Sequence, residues 1–253
     1  MRARALRGRA LRNIVAAGDD DRARPRAGEN AMLYELRLYR IAAGWMDAMH
    51  ERMAARVIPL FRELGMPHPV GAWEATAGPA LPRFVWMIAW RDYAAREKAW
   101  AEFAPRWQKV RGTGASVQFV TGIDVALLAA WPEIAVAPNS VMGAGVDELW
   151  LQRIAVTQGP QARASFLAAD RPALEKGGAA LKIGFDFVSG AELPRIGTLM
   201  SWPDAAARTA ALAGYEASPA ISGQRRSDMK AFGAPIFEAA DRFLLSPQDY
   251  ARP

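Results

Sequence analysis

The strongest constraint on what this chain can fold into is an internal repeat. Glu35-Leu36, Leu38 and Arg40-Ile41-Ala42 recur 113 positions later as Glu148-Leu149, Leu151 and Arg153-Ile154-Ala155. At the same offset Pro59 meets Pro172 and Gly65 meets Gly178. At an offset of 112, Leu81-Pro82-Arg83 becomes Leu193-Pro194-Arg195, Trp90 becomes Trp202, and Ala94-Ala95-Arg96 becomes Ala206-Ala207-Arg208. A preserved order at a nearly fixed period marks one structural unit present twice.

Each copy has the same coarse layout. Residues 32–41 alternate as a strand, with Tyr34, Leu36 and Leu38 on one face and Glu35, Arg37, Tyr39 and Ile41 on the other. Residues 44–64 carry Met49, Met53, Val57, Leu60 and Leu64 at helical spacing, and Gly65 stands where a helix stop belongs. Pro59 lacks an N–H and is expected to kink that helix near its end. Strands are expected at 70–77 and 83–91, joined by Gly78-Pro79-Ala80-Leu81-Pro82, then a helix over 92–110 and a strand over 116–129. The second copy reads as strand 147–156, helix 159–176, strands 181–189 and 195–202, a helix from 203 to 214 or beyond, and strand 236–245.

This is an α+β plan of two tandem ferredoxin-like β-α-β-β-α-β repeats, each with one sheet face covered by helices and the other bare. Two such sheets can close face to face, so the expected architecture is a pseudo-dimeric α+β barrel. The corresponding divisions are a basic extension over 1–31, a first repeat over 32–130, a linker over 131–146, a second repeat over 147–246 and a tail over 247–253.

Composition removes several functions. The 253 residues include no Cys, which excludes disulfides, thiolate metal sites and a cysteine nucleophile. Only His50 and His68 supply imidazoles, so a three-histidine metal site within the chain is impossible and no metal is expected. The net charge of +6 is concentrated at one end: residues 1–31 hold eight Arg against four acids, leaving 24 basic and 22 acidic residues elsewhere. The body is nearly neutral, and no nucleic-acid partner is expected. Nor is a membrane span, since no apolar run is long enough. Residues 1–31 lack the apolar core of a secretory signal, and Asp19-Asp20-Asp21 argues against a mitochondrial presequence. They read as a disordered tail, or as sequence upstream of a working start at Met32, and a cytoplasmic location is expected.

An ordered set of residues resembles the NIPSNAP family. It comprises Tyr34-Glu35-Leu36-Arg37, Gly44, Pro59, Gly65, the stretch from Pro82-Arg83 through Trp90 to Arg96, and Trp107. The likeness covers most of 32–130 and, more faintly, 147–246. It implies the dimeric α+β barrel superfamily, which includes cofactor-independent monooxygenases, haem-dependent enzymes and lactone isomerases. It implies no particular reaction, and eukaryotic members are linked to vesicles and mitochondria through partner binding. The chain departs from the family pattern with Pro82 and Pro194 in place of Asn, Trp90 and Trp202 in place of Tyr, and Trp86 where many members carry His.

The candidate site follows from the strand alternation. With Leu36 and Leu38 assigned to the helices, Glu35, Arg37 and Tyr39 point into the barrel, with Glu148 and Gln152 in matching places. Phe84, Trp86, Ile88 and Trp90 share one face of the third strand and are assigned to the same interior, and Trp73 joins them. Aromatic walls with a few polar groups suit a small hydrophobic or aromatic ligand. Glu35, Tyr39 and His50 are the candidate proton-transfer groups, and no cofactor is required. Equally, Glu35 fits a plain ion pair with Arg37 or a neighbour. His50 fits a single axial haem ligand, or a helix histidine with no chemical duty. His68, between Pro67 and Pro69, reads as structural or exposed. Trp45, Trp100 and Trp107 fall on helices, where they pack cores or the interface of a homodimer or larger assembly. A non-catalytic interaction protein with an occluded barrel is the contrasting reading.

Overall fold

Strands whose two faces are both apolar must be covered on both sides, and here a closed barrel covers one side and helices the other. The computed structural model describes residues 32–111 and 118–252; the expectations for 1–31 lie outside the described residues. Its strands are β1 (Leu33–Ile41), β2 (Gly71–Ala77), β3 (Arg83–Trp90), β4 (Val120–Ala135), β5 (Val146–Ile154), β6 (Ala180–Ser189), β7 (Arg195–Trp202) and β8 (Phe237–Pro247). They close in the order β1-β3-β2-β8-β5-β7-β6-β4, every pairing antiparallel. The seams between the two halves of the chain are β2–β8 and β4–β6.

Before β2 the chain forms α1 (Met46–Arg52), a π-helical turn (Met53–Val57) and α2 (Ile58–Glu63). Before β6 it forms α4 (Gly159–Ser165), a π-helical turn (Phe166–Asp170) and α5 (Arg171–Lys176). Each wide turn ends just upstream of a proline, Pro59 or Pro172. A proline ring crowds the carbonyl four residues back and offers it no N–H, and a widened turn accommodates both defects while the helix continues. The expected kink is therefore a π-turn. Gly65 and Gly178 follow these helices at φ +63° and +95°, a conformation that a β-carbon disfavours.

After β3 comes α3 (Tyr93–Arg111), whose start is capped by Asp92 Oδ1 accepting from Ala95 N at 2.7 Å. After β7 comes α6 (Ala205–Glu216), where Asp204 Oδ1 accepts from Ala207 N at 2.8 Å. A seventh helix, α7 (Pro219–Phe232), starts at a Ser218 cap and stops at Gly233, φ +74°. The helix expected from 203 to 214 or beyond is thus two helices, α6 and α7. Two boundaries also move: β4 runs on to Ala135, so the connection between the halves is 136–145 and not 131–146.

The barrel interior is filled. Leu36 and Leu38 of β1, Trp73 of β2, Met87 of β3, Leu128 of β4, Leu149 of β5, Phe185 of β6, Leu199 of β7 and Phe243 of β8 form one buried cluster to which every strand contributes. The expected orientation is thus reversed. Glu35, Arg37 and Tyr39 alternate with these residues and face the helices, as do Phe84, Trp86 and Trp90, which pack with Met49, Met53 and Phe103. Alternation shows which residues share a face but not which face looks inward. On β3 seven consecutive residues are buried, so polarity gives no cue.

Candidate functional site

The side chains on the outer face of β1 and β3 meet α1 and α3 in two ways. Some close the layer, and others leave a space.

Glu35 closes it. Its carboxylate is fully buried and accepts from Trp90 Nε1 (3.0 Å), Trp100 Nε1 (3.0 Å) and Arg96 Nε (2.9 Å). Glu148 does the same in the second half, accepting from Trp202 Nε1 (2.9 Å), Arg208 Nε (2.9 Å) and a second Arg208 nitrogen (2.6 Å). Strand carboxylate, strand indole and helix guanidinium are the same three groups in both halves. A buried charge so fully partnered fastens helix to sheet. This agrees with the ion-pair reading of Glu35, with Arg96 as the main partner; Arg37 Nε stands further off, at 3.4 Å.

Beside this clamp lies a cavity of about 890 Å³. Its apolar and aromatic walls include Met49, Met53, Trp86, Trp100, Phe103 and Trp107. Arg37, Arg52, Arg96 and Arg111 also line it, with Tyr39 and Gln118, and no acid is among the described residues that line it. The Arg37 guanidinium sits 4.6 Å from the Trp100 ring centre and 5.4 Å from that of Trp86. Burial raises the Tyr39 phenol from its ordinary 10.0, with Arg37 pulling the other way, so at neutral pH it is a hydrogen-bond donor and not a phenolate.

The corresponding place in the second half is closed, with only about 30 Å³ left. Trp150, Gln152 and Thr198 stand there in place of Arg37, Tyr39 and Trp86. Tyr215 and Arg225 both donate to Asp170, and Arg225 also reaches Ser165 at 3.0 Å. Arg225 belongs to α7, and from the same helix Asp228 accepts from Ser165 Oγ at 2.6 Å. Through these two residues α7 fills the space. A more open depression of about 440 Å³ on this half is lined by Glu133, Arg163, Asp186 and Arg195, whose charges are mutually paired or paired nearby.

The expected site residues therefore separate. Arg37, Tyr39 and Trp86 line the cavity. Glu35, Phe84 and Trp90 pack beside it, buried in the layer under α1 and α3. Trp73 belongs to the barrel core and donates to Asp147 Oδ2 at 2.7 Å. Glu148 is the second-half clamp, and Gln152 donates to the backbone carbonyls of Arg153 (3.0 Å) and Glu238. His50 is not among the lining residues: its Nδ1 is 2.9 Å from Tyr250 Oη and its Nε2 is 3.2 Å from Glu74, tying α1 to β2 and to the C-terminal segment. His68 is also absent from the lining. With neither imidazole at the cavity, a histidine-ligated haem does not fit there. Among the described residues no cluster of His, Asp and Glu could hold a metal ion.

Among the cavity residues that the sequence alone does not mark as ligand contacts are Arg52, Trp100, Trp107 and Arg111. Arg52 carried a usable signal, since it follows Met49 by three and precedes Met53 on an otherwise apolar helix stripe.

No helix among the described residues is long and apolar enough to cross a membrane. No curated protein matches the chain in sequence. Among solved structures it is similar to a candidate monooxygenase from Lactobacillus acidophilus, at 10% identity and a TM-score of 0.53, covering 86% of this chain and 94% of that one. It is also similar to a mutant chlorite dismutase from Candidatus Nitrospira defluvii, at 7% identity and a TM-score of 0.52, covering 88% and 94%. A candidate monooxygenase from Fusobacterium nucleatum gives 7% identity and a TM-score of 0.52, covering 87% and 93%. At such identities the likeness is one of fold. The family model for NIPSNAP matches residues 34–132, a stretch that contains every lining residue of the large cavity. The part of the chain that builds the open cavity is therefore the part that is similar to the NIPSNAP family.

Proposed function

We propose that the chain binds a small molecule with an apolar, aromatic body in the first-half cavity, between α1, α3 and the outer face of the sheet. The observation that carries this reading is the asymmetry between the halves. Both keep the Glu–Trp–Arg clamp, yet the matching space beside it is about 890 Å³ in one and about 30 Å³ in the other. We read the halves as tandem ferredoxin-like repeats, the first over 32–135 and the second over 146–247. On that reading the second site has been filled by α7 while the first has stayed open. A space of this size lined by indoles and methionines falls in the usual range of ligand pockets.

A filled barrel also suits a non-catalytic interaction protein. That alternative does not explain why aromatic walls and arginines surround an unfilled space in one half alone. Any acid–base chemistry in the cavity would run through Tyr39, because Glu35 is locked in its clamp and His50 lies elsewhere.

Native mass spectrometry with the uncharged probe N-phenyl-1-naphthylamine tests the binding reading. One probe per chain is expected, with affinity falling about tenfold in Trp107→Ala, which removes an aromatic wall. Absence of binding, or binding indifferent to Trp107→Ala, would contradict it.

A further inference from the structure

We infer that the ligand of the first-half cavity carries an oxyanion, a carboxylate or a group of like charge, held by Arg37, Arg52 and Arg111. This rests on the cavity being a ligand site and names the class of ligand.

The argument is one of charges and donors left over. Of the four arginines lining the cavity, Arg96 is satisfied by Glu35, the nearest buried acid. Arg37 meets that carboxylate only at 3.4 Å, without hydrogen-bond geometry, and its Nε–H is buried with no acceptor among the described residues. The Trp86 indole N–H, also on the lining, is buried with no well-formed hydrogen bond, its near neighbour being the Tyr39 hydroxyl. Buried donors usually find partners, and donors left under-satisfied on one wall call for an acceptor-rich guest.

Arg52 and Arg111 form no ion pair among the described residues. The Arg52 guanidinium lies 3.8 Å from the Phe119 ring centre. Burial, then the charges of Arg111 and Arg56, push its pKa below the ordinary arginine value. Cations gathered in a partly buried space repel one another until an anion comes between them.

The arginines of the other two cavities do not share this condition. Arg163 pairs with Glu133, Arg195 with Asp241 at 3.0 Å, Arg225 with Asp170 and Arg242 with Glu216 at 3.9 Å. Uncompensated positive charge thus separates the open cavity from these two. Guanidinium groups match the planar fork of a carboxylate, and the Met and Trp walls suit an apolar remainder. An amphiphilic organic anion satisfies both, whereas inorganic phosphate would leave the walls uncovered.

Two probes that differ by one charged group separate this inference from the reading beneath it. They are 8-anilinonaphthalene-1-sulfonate and its sulfonate-free counterpart N-phenyl-1-naphthylamine, titrated by fluorescence into the full chain. The wild type is expected to bind the sulfonate at least about tenfold more tightly. The double variant Arg52→Gln/Arg111→Gln, which leaves Arg37 in place, should cut that preference at least about threefold. Arg226→Ala, at an exposed position, should leave the preference intact. Equal affinities in the wild type, which need no variant to fold, would overturn the inference while leaving the cavity a ligand site. A preference undiminished in the double variant, or one that Arg226→Ala reduces equally, would also overturn it. If neither probe binds, the underlying reading fails and the inference falls with it.

Discussion

At the scale of single residues, the same carboxylate position does the same work twice. Glu35 and Glu148 occupy matching places in the register, one paired across β1–β3 with Ile88 and the other across β5–β7 with Met200. Each gathers an indole N–H and a guanidinium. A catalytic role for Glu35 would leave the identical cluster around Glu148, beside a closed space, without a purpose. The clamp account predicts that Glu35→Gln and Glu148→Gln destabilise the chain alike. Each neutralises one partner of a buried ion pair while keeping its size, at a cost of about 2 kcal/mol or more. For a chain of this length that is a fall in Tm of roughly 4–8 °C, readable by calorimetry. A Glu35→Gln protein with unchanged Tm would contradict the account. The sequence showed these residues as a recurring set and left Glu35 either ion-paired or at a ligand site. It did not show the partner, because Arg96 arrives from a helix 61 residues away.

At the scale of elements, the connection between the halves is held by one acid inside the barrel. Asp147, fully buried at the start of β5, accepts from Trp73 Nε1 (2.7 Å), Gly143 N (3.0 Å) and Ser201 Oγ, and so fixes Gly143 against the core. Burial raises its carboxyl above the ordinary 3.8, outweighing the donors that pull it down. The folded state then binds the proton more tightly than the unfolded chain. Its contribution to stability is greatest below 3.8 and declines as pH rises from there through the raised folded value. Asp147→Asn puts an amide N–H against donors and should cost about 1–3 kcal/mol. Because Asn does not titrate, that cost should be larger near pH 4 and smaller near about pH 7. Denaturant titrations of both proteins across this range check the sign; a cost that grows with pH would contradict it.

Element order was legible in the sequence because turns, prolines and helical stripes are local signals. The inward face was not, because Leu36 and Trp86 are equally apolar and only the closing of the sheet decides between their sides. That α7 is a separate helix was not legible for a related reason. Its residues Ser222, Gln224, Arg225 and Asp228 look like a solvated loop until they are seen to bond with α4 and the π-helical turn beyond it.

At the scale of the whole molecule, eight strands enclose a solid apolar core, and the helices of one half stand off the sheet to leave a cationic, aromatic-walled cavity. The central claim is that ligands enter this helix–sheet layer of the first half and not the barrel. The nine Trp residues are distributed so as to test it. Trp86, Trp100 and Trp107 line the cavity, Trp73 lies in the barrel core, and Trp131, Trp150 and Trp202 belong to the second-half core. The most direct measurement is a fluorine NMR titration of the 5-fluorotryptophan-labelled chain with N-phenyl-1-naphthylamine, each resonance assigned by Trp→Phe substitution. The account predicts that the signals of Trp86, Trp100 and Trp107 move together and saturate at one probe per chain, while those of Trp73, Trp131, Trp150 and Trp202 stay in place. Movement of the Trp73 signal with the other three unchanged would put the ligand inside the barrel and contradict the account.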